Sequence, residues 1–186
     1  MTHKPRADAA RNRQHIIAVA RAAFAGDGLD LPVREIARRA GVGVATVYRH
    51  FPSRTDLITA ALADHVAACR ADMRAALDDP DAWRALSGTI RRFAEQQVAD
   101  RGLNEALFGA QGAAAFAEDR QAHAAGLDKL VDRARKAGAL SDGRTAEDVR
   151  VGLAAIASFR ALRPQQAAAS TRRLVDLLLA GLSAAR

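Results

Sequence analysis

A chain of 186 residues that is 49% hydrophobic and 26% charged has the balance of a folded protein and is too apolar for a disordered one. Aromatics supply only 4% and alanine fills many apolar positions, which argues against sheets built on Val, Tyr and Phe and for closely packed helices, an all-α fold. The formal net charge of +7 fits a nucleic-acid or anionic-membrane partner, while the lone cysteine, Cys69, excludes an internal disulfide framework and a multi-cysteine zinc site.

Residues 1–58 hold ten Lys/Arg against five acids, so the polyanion-binding end is N-terminal and the expected domains are 1–58 and 59–186. After Met1-Thr2-His3-Lys4-Pro5-Arg6 comes charged helix rather than an apolar stretch, and no run of about 18 apolar residues occurs, so a cytoplasmic protein without membrane contact is expected. Lys4, Arg6, Arg11 and Arg13 either reach DNA or form a solvated terminus.

From Ala9 to Ala25, Ile16, Ile17, Ala20, Ala23 and Phe24 recur at helical spacing until Gly26-Asp27-Gly28 stops them. Pro32 suits a first helical turn, and Ile36, Ala37 and Ala40 form one apolar face. Gly41-Val42-Gly43 then makes a tight turn before a second short helix through Phe51. Ser53 caps a long helix through Leu57, Leu62, Val66 and Met73, ending near Asp78-Asp79-Pro80. Helices are predicted over Ala82 to Ala99, Leu103 to about Ala115 and Ala117 to Lys136, with breaks at Gly102, Gly112 to Ala115, and Gly138. Thr145 and Asp148 have capping-box spacing before a helix carrying Val149, Leu153, Ile156 and Leu162, which Pro164 ends; Ser170 caps the last helix.

Residues 33–51 have the parts of a helix-turn-helix: a bracing helix, a sharp turn and a second helix able to enter a major groove. Arg34, Arg38 and Arg39 project outward from the first. In the second, Val47 and Phe51 face inward with Ile36 and Val42, which leaves Val44, Ala45, Tyr48 and Arg49 on the opposite face. Val44 and Ala45 suit thymine methyls, Thr46 a base edge or phosphate, and Arg49 guanine O6 and N7. Tyr48, His50 and Arg54 suit phosphates, which fix register without reading sequence.

The run Ile36-Ala37-Arg38-Arg39-Ala40-Gly41-Val42-Gly43-Val44-Ala45-Thr46-Val47-Tyr48-Arg49-His50-Phe51-Pro52-Ser53-Arg54 resembles the signature of the TetR family of transcriptional regulators. The likeness extends upstream through Ile16-Ile17, Ala20, Phe24 and Gly28 and downstream through Asp56-Leu57, about a third of the chain. It implies a three-helix DNA-binding domain followed by a helical bundle for effector binding and dimerisation. It further implies a homodimeric, ligand-responsive repressor on a palindromic operator, with no cofactor and no catalysis. Gly43 stands where the family usually has Ser or Thr, and Pro32 near its usual Thr; backbone N–H groups, Gly43's helix start among them, then take over those phosphate contacts. Tyr48 to Arg54 resembles a subgroup with Arg in place of the commoner Lys.

The last helix carries Leu174, Val175, Leu177, Leu178, Leu179 and Leu182, too much apolar surface to leave in water. The expected dimer interface is Val149, Leu153, Ile156, Leu174, Leu178 and Leu182; the bland alternative is a helix buried in its own monomer. Trp83, Phe93, Phe108, Phe116 and Phe159 are candidates to line an effector pocket, and otherwise plain core. His65/Cys69 and Asp119/His123 are i, i+4 pairs that would complete a zinc site only if their helices met; structural roles are the simpler expectation and no metal is assigned. The rival to a sequence-specific regulator is a non-specific architectural DNA-binding protein. An enzyme has no motif in its favour, since the chain lacks a nucleophile elbow, a phosphate loop and a metalloprotease helix.

Overall fold

A computed structural model describes residues 4–108 and 114–184. Its α-helices are α1 (Lys4–Asp27), α2 (Val33–Arg39), α3 (Val44–His50), α4 (Arg54–Asp78), α5 (Ala82–Ala99), α6 (Arg101–Phe108), α7 (Ala117–Lys136), α8 (Ala146–Ala157) and α9 (Pro164–Leu182). Short 3-10 turns cover Ala114–Phe116 and Ser158–Ala161. Among the described residues the only β pairing is an isolated Leu140–Ser183 bridge.

Two compact units form. The first contains residues up to Val66 together with Asp100–Ala117; the second contains Ala67–Ala99 and Glu118–Arg186. In the first, Ile16 and Phe24 of α1, Ile36 of α2, Val47 of α3, Phe51, and Leu57 and Leu62 of α4 are almost fully buried. α6 belongs to this unit and packs on α1. Gly102 makes the close approach possible, because a Cβ there would lie 2.8 Å from the Phe24 carbonyl oxygen. Gly102 therefore lies inside a helix instead of breaking one.

In the second unit α5 packs on α8 and α9, and α8 on α9, around Leu86, Ile90, Leu130, Val149, Ile156 and Leu182. The Thr145 capping box forms as the spacing predicts, with the Asp148 carboxylate accepting from the Thr145 N–H at 2.7 Å and the Thr145 hydroxyl accepting in return. Three expectations are corrected here. α8 stops at Ala157; Pro164 begins α9, where a missing N–H costs nothing; and Ser170 lies within that helix rather than capping it.

Candidate nucleic-acid interface

The bracing helix α2 is closed at its C-terminus by a Schellman motif. Gly41, at φ +65°, donates its N–H to the Arg38 carbonyl at 3.2 Å, and Val42 donates to the Ala37 carbonyl at 3.0 Å. The left-handed residue reverses the chain in three residues and delivers Gly43 in extended conformation as the start of α3. Neither Pro32 nor Gly43 caps its helix with a side chain.

The inner and outer faces of α3 separate as the spacing predicts. Val47 and Phe51 are buried, whereas Val44 is 40% and Tyr48 46% exposed, large values for residues of that size. Ala45 and Arg49 are exposed beside them, with Thr46 and His50 half-buried. The Arg49 guanidinium donates to the Thr46 hydroxyl at 3.0 Å and to the Ala45 carbonyl at 3.4 Å, both on its own helix. It is held along the face it would present to a groove. From α1, the Arg13 guanidinium lies 5.0 Å from the centre of the Phe51 ring, and the His15 ring nitrogen is 3.1 Å from the Ala40 carbonyl oxygen. Arg13 thus helps to seat the recognition helix; the side chains of Lys4 and Arg6 lie outside the described residues.

The basic residues of α2 are largely neutralised within the protein. The Glu35 carboxylate accepts from Arg38 at 2.8 and 2.7 Å and from Arg39 at 2.8 Å, and Arg39 also donates to Asp27 at 2.6 Å. These bonds, Arg38's first and Arg39's next, lower the Glu35 pKa from its ordinary 4.5 to about 2. Arg34 is exposed and makes no ion pair among those described. Sequence reading counted Arg38 and Arg39 as outward charge. The Glu35 spacing, three and four residues ahead of them on one helix, was the signal that they would be tied down.

Arg54 is half-buried at the start of α4 and donates to the Leu29 carbonyl in the α1–α2 turn, so part of the expected phosphate clamp is used inside the fold. Ser53 caps α4 as predicted: Asp56 N–H donates to its hydroxyl at 3.1 Å, and the Asp56 carboxylate accepts from the Ser53 N–H at 2.9 Å.

The remaining candidates are dispersed. Of the five aromatics, Phe93 is buried and lines a small cavity within the second unit, with Cys69, Asp72, Met73, Arg92 and His123 around it. Burial pushes the His123 imidazole pKa down, which favours the neutral ring. Trp83 and Phe159 are half-buried and do not line this cavity; Phe116 belongs to the first unit; the Phe108 side chain lies outside the described residues.

The four polar residues weighed as metal ligands have other surroundings. His65 pairs with Asp100 at 2.9 Å and Asp119 with Arg70, while the Cys69 thiol points at the Gln96 side-chain oxygen 3.8 Å away. Among the described residues no three His, Cys, Asp or Glu side chains are placed to hold a metal ion.

Val149, Leu153, Ile156 and Leu182, expected at a dimer interface, are buried in the second unit's own core. Leu174 and Leu178 are half-buried. Helical periodicity located an apolar stripe but could not say which neighbour covers it. Among the described residues of the second unit, the large apolar side chains left exposed are Val151 at 61%, Leu177 at 62% and Leu162 at 42%.

Residues 16–61 match the bacterial regulatory proteins of the tetR family, and residues 79–184 match the C-terminal domain of SbtR-like transcriptional regulators. A TetR transcriptional regulator from Streptomyces coelicolor, SCO0520, is 35% identical over 94% of this chain and 99% of its own, with a TM-score of 0.63. One from Mycobacterium vanbaalenii is 33% identical over 96% and 99%, with a TM-score of 0.59. A regulator from Saccharomonospora viridis, solved in complex with choline, shares the fold at 19% identity over 95% and 100%, with a TM-score of 0.64. No curated protein matches the sequence. The chain belongs to the TetR family of transcriptional regulators, which are DNA-binding proteins and not enzymes. Among the described residues no helix is long and apolar enough to cross a membrane.

Proposed function

We propose that the protein is a ligand-responsive repressor that binds a palindromic operator as a homodimer in the cytoplasm. The observation that carries the reading is the exposed α3 face, where Val44, Ala45, Tyr48 and Arg49 stand clear of a core that holds Val47 and Phe51. Arg49 reads guanine, Val44 and Ala45 meet thymine methyls, and Thr46 takes a base edge or a phosphate. Tyr48, His50, Arg34 and the Arg54 guanidinium set register on the backbone, and Gly43 lets the backbone approach closely. The stretch Tyr48 to Arg54 assigns the chain to the subgroup with Arg in that pattern. The functional division falls near residue 58, with the rest of the chain, α6 apart, serving effector and partner.

Val151 and Leu177, adjacent in sequence to the closely packed Gly152 and Leu178, form the start of the face between protomers, joined by Leu174 and Leu178. A small effector of unassigned identity would bind within the second unit, where the small cavity beside Phe93 would have to open to admit it; the Saccharomonospora viridis protein of the same fold was solved with choline. An effector releases DNA only if it binds more tightly to a conformation in which the paired α3 helices no longer fit successive grooves.

Selection of bound duplexes from random DNA tests the reading. A palindrome with half-sites about one helical turn apart is expected. Equal affinity for selected and random duplexes at about 150 mM salt would instead favour a non-specific architectural protein.

A further inference from the structure

The family likeness places α6 within the C-terminal match, residues 79–184, yet this helix packs as part of the DNA-reading unit. Its attachment is concentrated on one point of the α1–α2 turn. The Glu105 carboxylate accepts the Leu29 N–H at 2.7 Å and is itself held by Arg101 Nε at 2.7 Å. Gly28, at φ +85°, lies directly beneath the pair; a Cβ there would sit 2.7 Å from Arg101 Nε and 2.8 Å from both Glu105 oxygens. On the other side, the Leu29 carbonyl accepts from Arg54. Both backbone groups of Leu29 are therefore bonded by charged side chains, one from α6 and one from α4. Only Asp30, Leu31 and Pro32 separate Leu29 from the start of α2.

α6 is itself fixed at its N-terminus. Asp100 caps it by accepting the Leu103 N–H at 2.9 Å, and its other carboxylate oxygen meets His65 of α4 at 2.9 Å. With Gly102 against the Phe24 backbone, α6 is held at its start and its first turn. Glu105, one turn further on, carries that position to the turn ahead of α2.

We infer that Glu105 is a positioning residue for DNA reading: it fixes Leu29 and hence the α2–α3 pair, without touching DNA. The inference rests on the operator-reading function proposed above.

The sign of the effect separates positioning from charge. Removing a carboxylate from a protein that binds a polyanion should strengthen binding to every duplex. Positioning requires the reverse for the operator alone. The test measures affinities of the full-length protein and its Glu105→Ala and Glu105→Gln variants for a duplex recovered by selection and for a random duplex, with exchange of the Leu29 amide proton followed by NMR. For Glu105→Ala we expect operator affinity to fall about tenfold, the scale of one lost charge-assisted hydrogen bond, with no fall on random DNA. Leu29 exchange should accelerate while the Val47 amide, deep in the same unit, stays protected. Glu105→Gln keeps an acceptor oxygen and should restore the operator affinity to within about threefold of the parent protein. Should the alanine variant bind the operator as well as the parent, or lose affinity for both duplexes together, the inference fails. A parent protein that prefers no sequence would sink the operator-reading function itself, a separate outcome visible in the control.

Discussion

α2 and α3 are both seven residues long, both begin without a side-chain cap and both carry basic residues in their last turn, yet their arginines do opposite things. On α2, Arg38 and Arg39 converge on Glu35 and Asp27 and hold the frame together. On α3, the bonds that Arg49 makes among the described residues are to its own helix, and it stays exposed. Basic residues near a DNA-binding motif are therefore not interchangeable evidence of contact, because a guanidinium already bonded to a carboxylate, twice to Glu35 for Arg38 and to Glu35 and Asp27 for Arg39, has less left to offer a phosphate.

The largest expected effect removes the shared support. Phe51→Ala empties a site that packs under α3 and beneath the Arg13 guanidinium, and should cost about 3–5 kcal/mol of stability, measured by urea unfolding of the full-length chain. A cost below about 1 kcal/mol would mean that the recognition helix does not rest on this ring. Next comes the contrast between arginines. Arg49→Ala should lose about 1–3 kcal/mol of operator affinity and relax preference at one base position per half-site. Arg38→Ala should change operator affinity about twofold or less. Equal losses in a binding titration would erase the distinction between frame and reader.

The smallest effect is one of pH. Glu35 has a depressed pKa in the folded protein, so its contribution to stability is present above the ordinary carboxylate value of 4.5 and is lost as pH falls toward about 2. Glu35→Gln should melt below the parent at about pH 7, and the gap should narrow through that acid window. A gap of constant width down to pH 2 would show that the two arginines owe nothing to the carboxylate's charge.

Local signals were legible in the sequence and long-range ones were not. Gly41 and Gly43, the buried Val47 and Phe51, and the caps at Ser53 and Thr145 all depend on neighbours within a few residues, and each was readable from spacing. Pro164 and Gly102 misled because each is tolerated early in a helix, Pro164 where no N–H is required and Gly102 where another backbone passes close. The apolar stripe of α8 and α9 was visible, but the alanine-rich background hid which residues face their own core, so Val149 and Ile156 were assigned outward while Val151 and Leu177 hold the exposed positions. Glu105 had no local signal at all. Its partner is 76 residues away in the chain.

That separation has a consequence for how the protein is made. When the ribosome has added Arg54, every side chain of the recognition helix exists, and one bond to Leu29 can form. The other waits for Glu105, about fifty residues later. A nascent chain carries its basic head before it carries the helix that seats it. A product that terminates before Arg101 is thus expected to cling to nucleic acid by charge without choosing a sequence, so sequence choice is acquired only in the second half of synthesis.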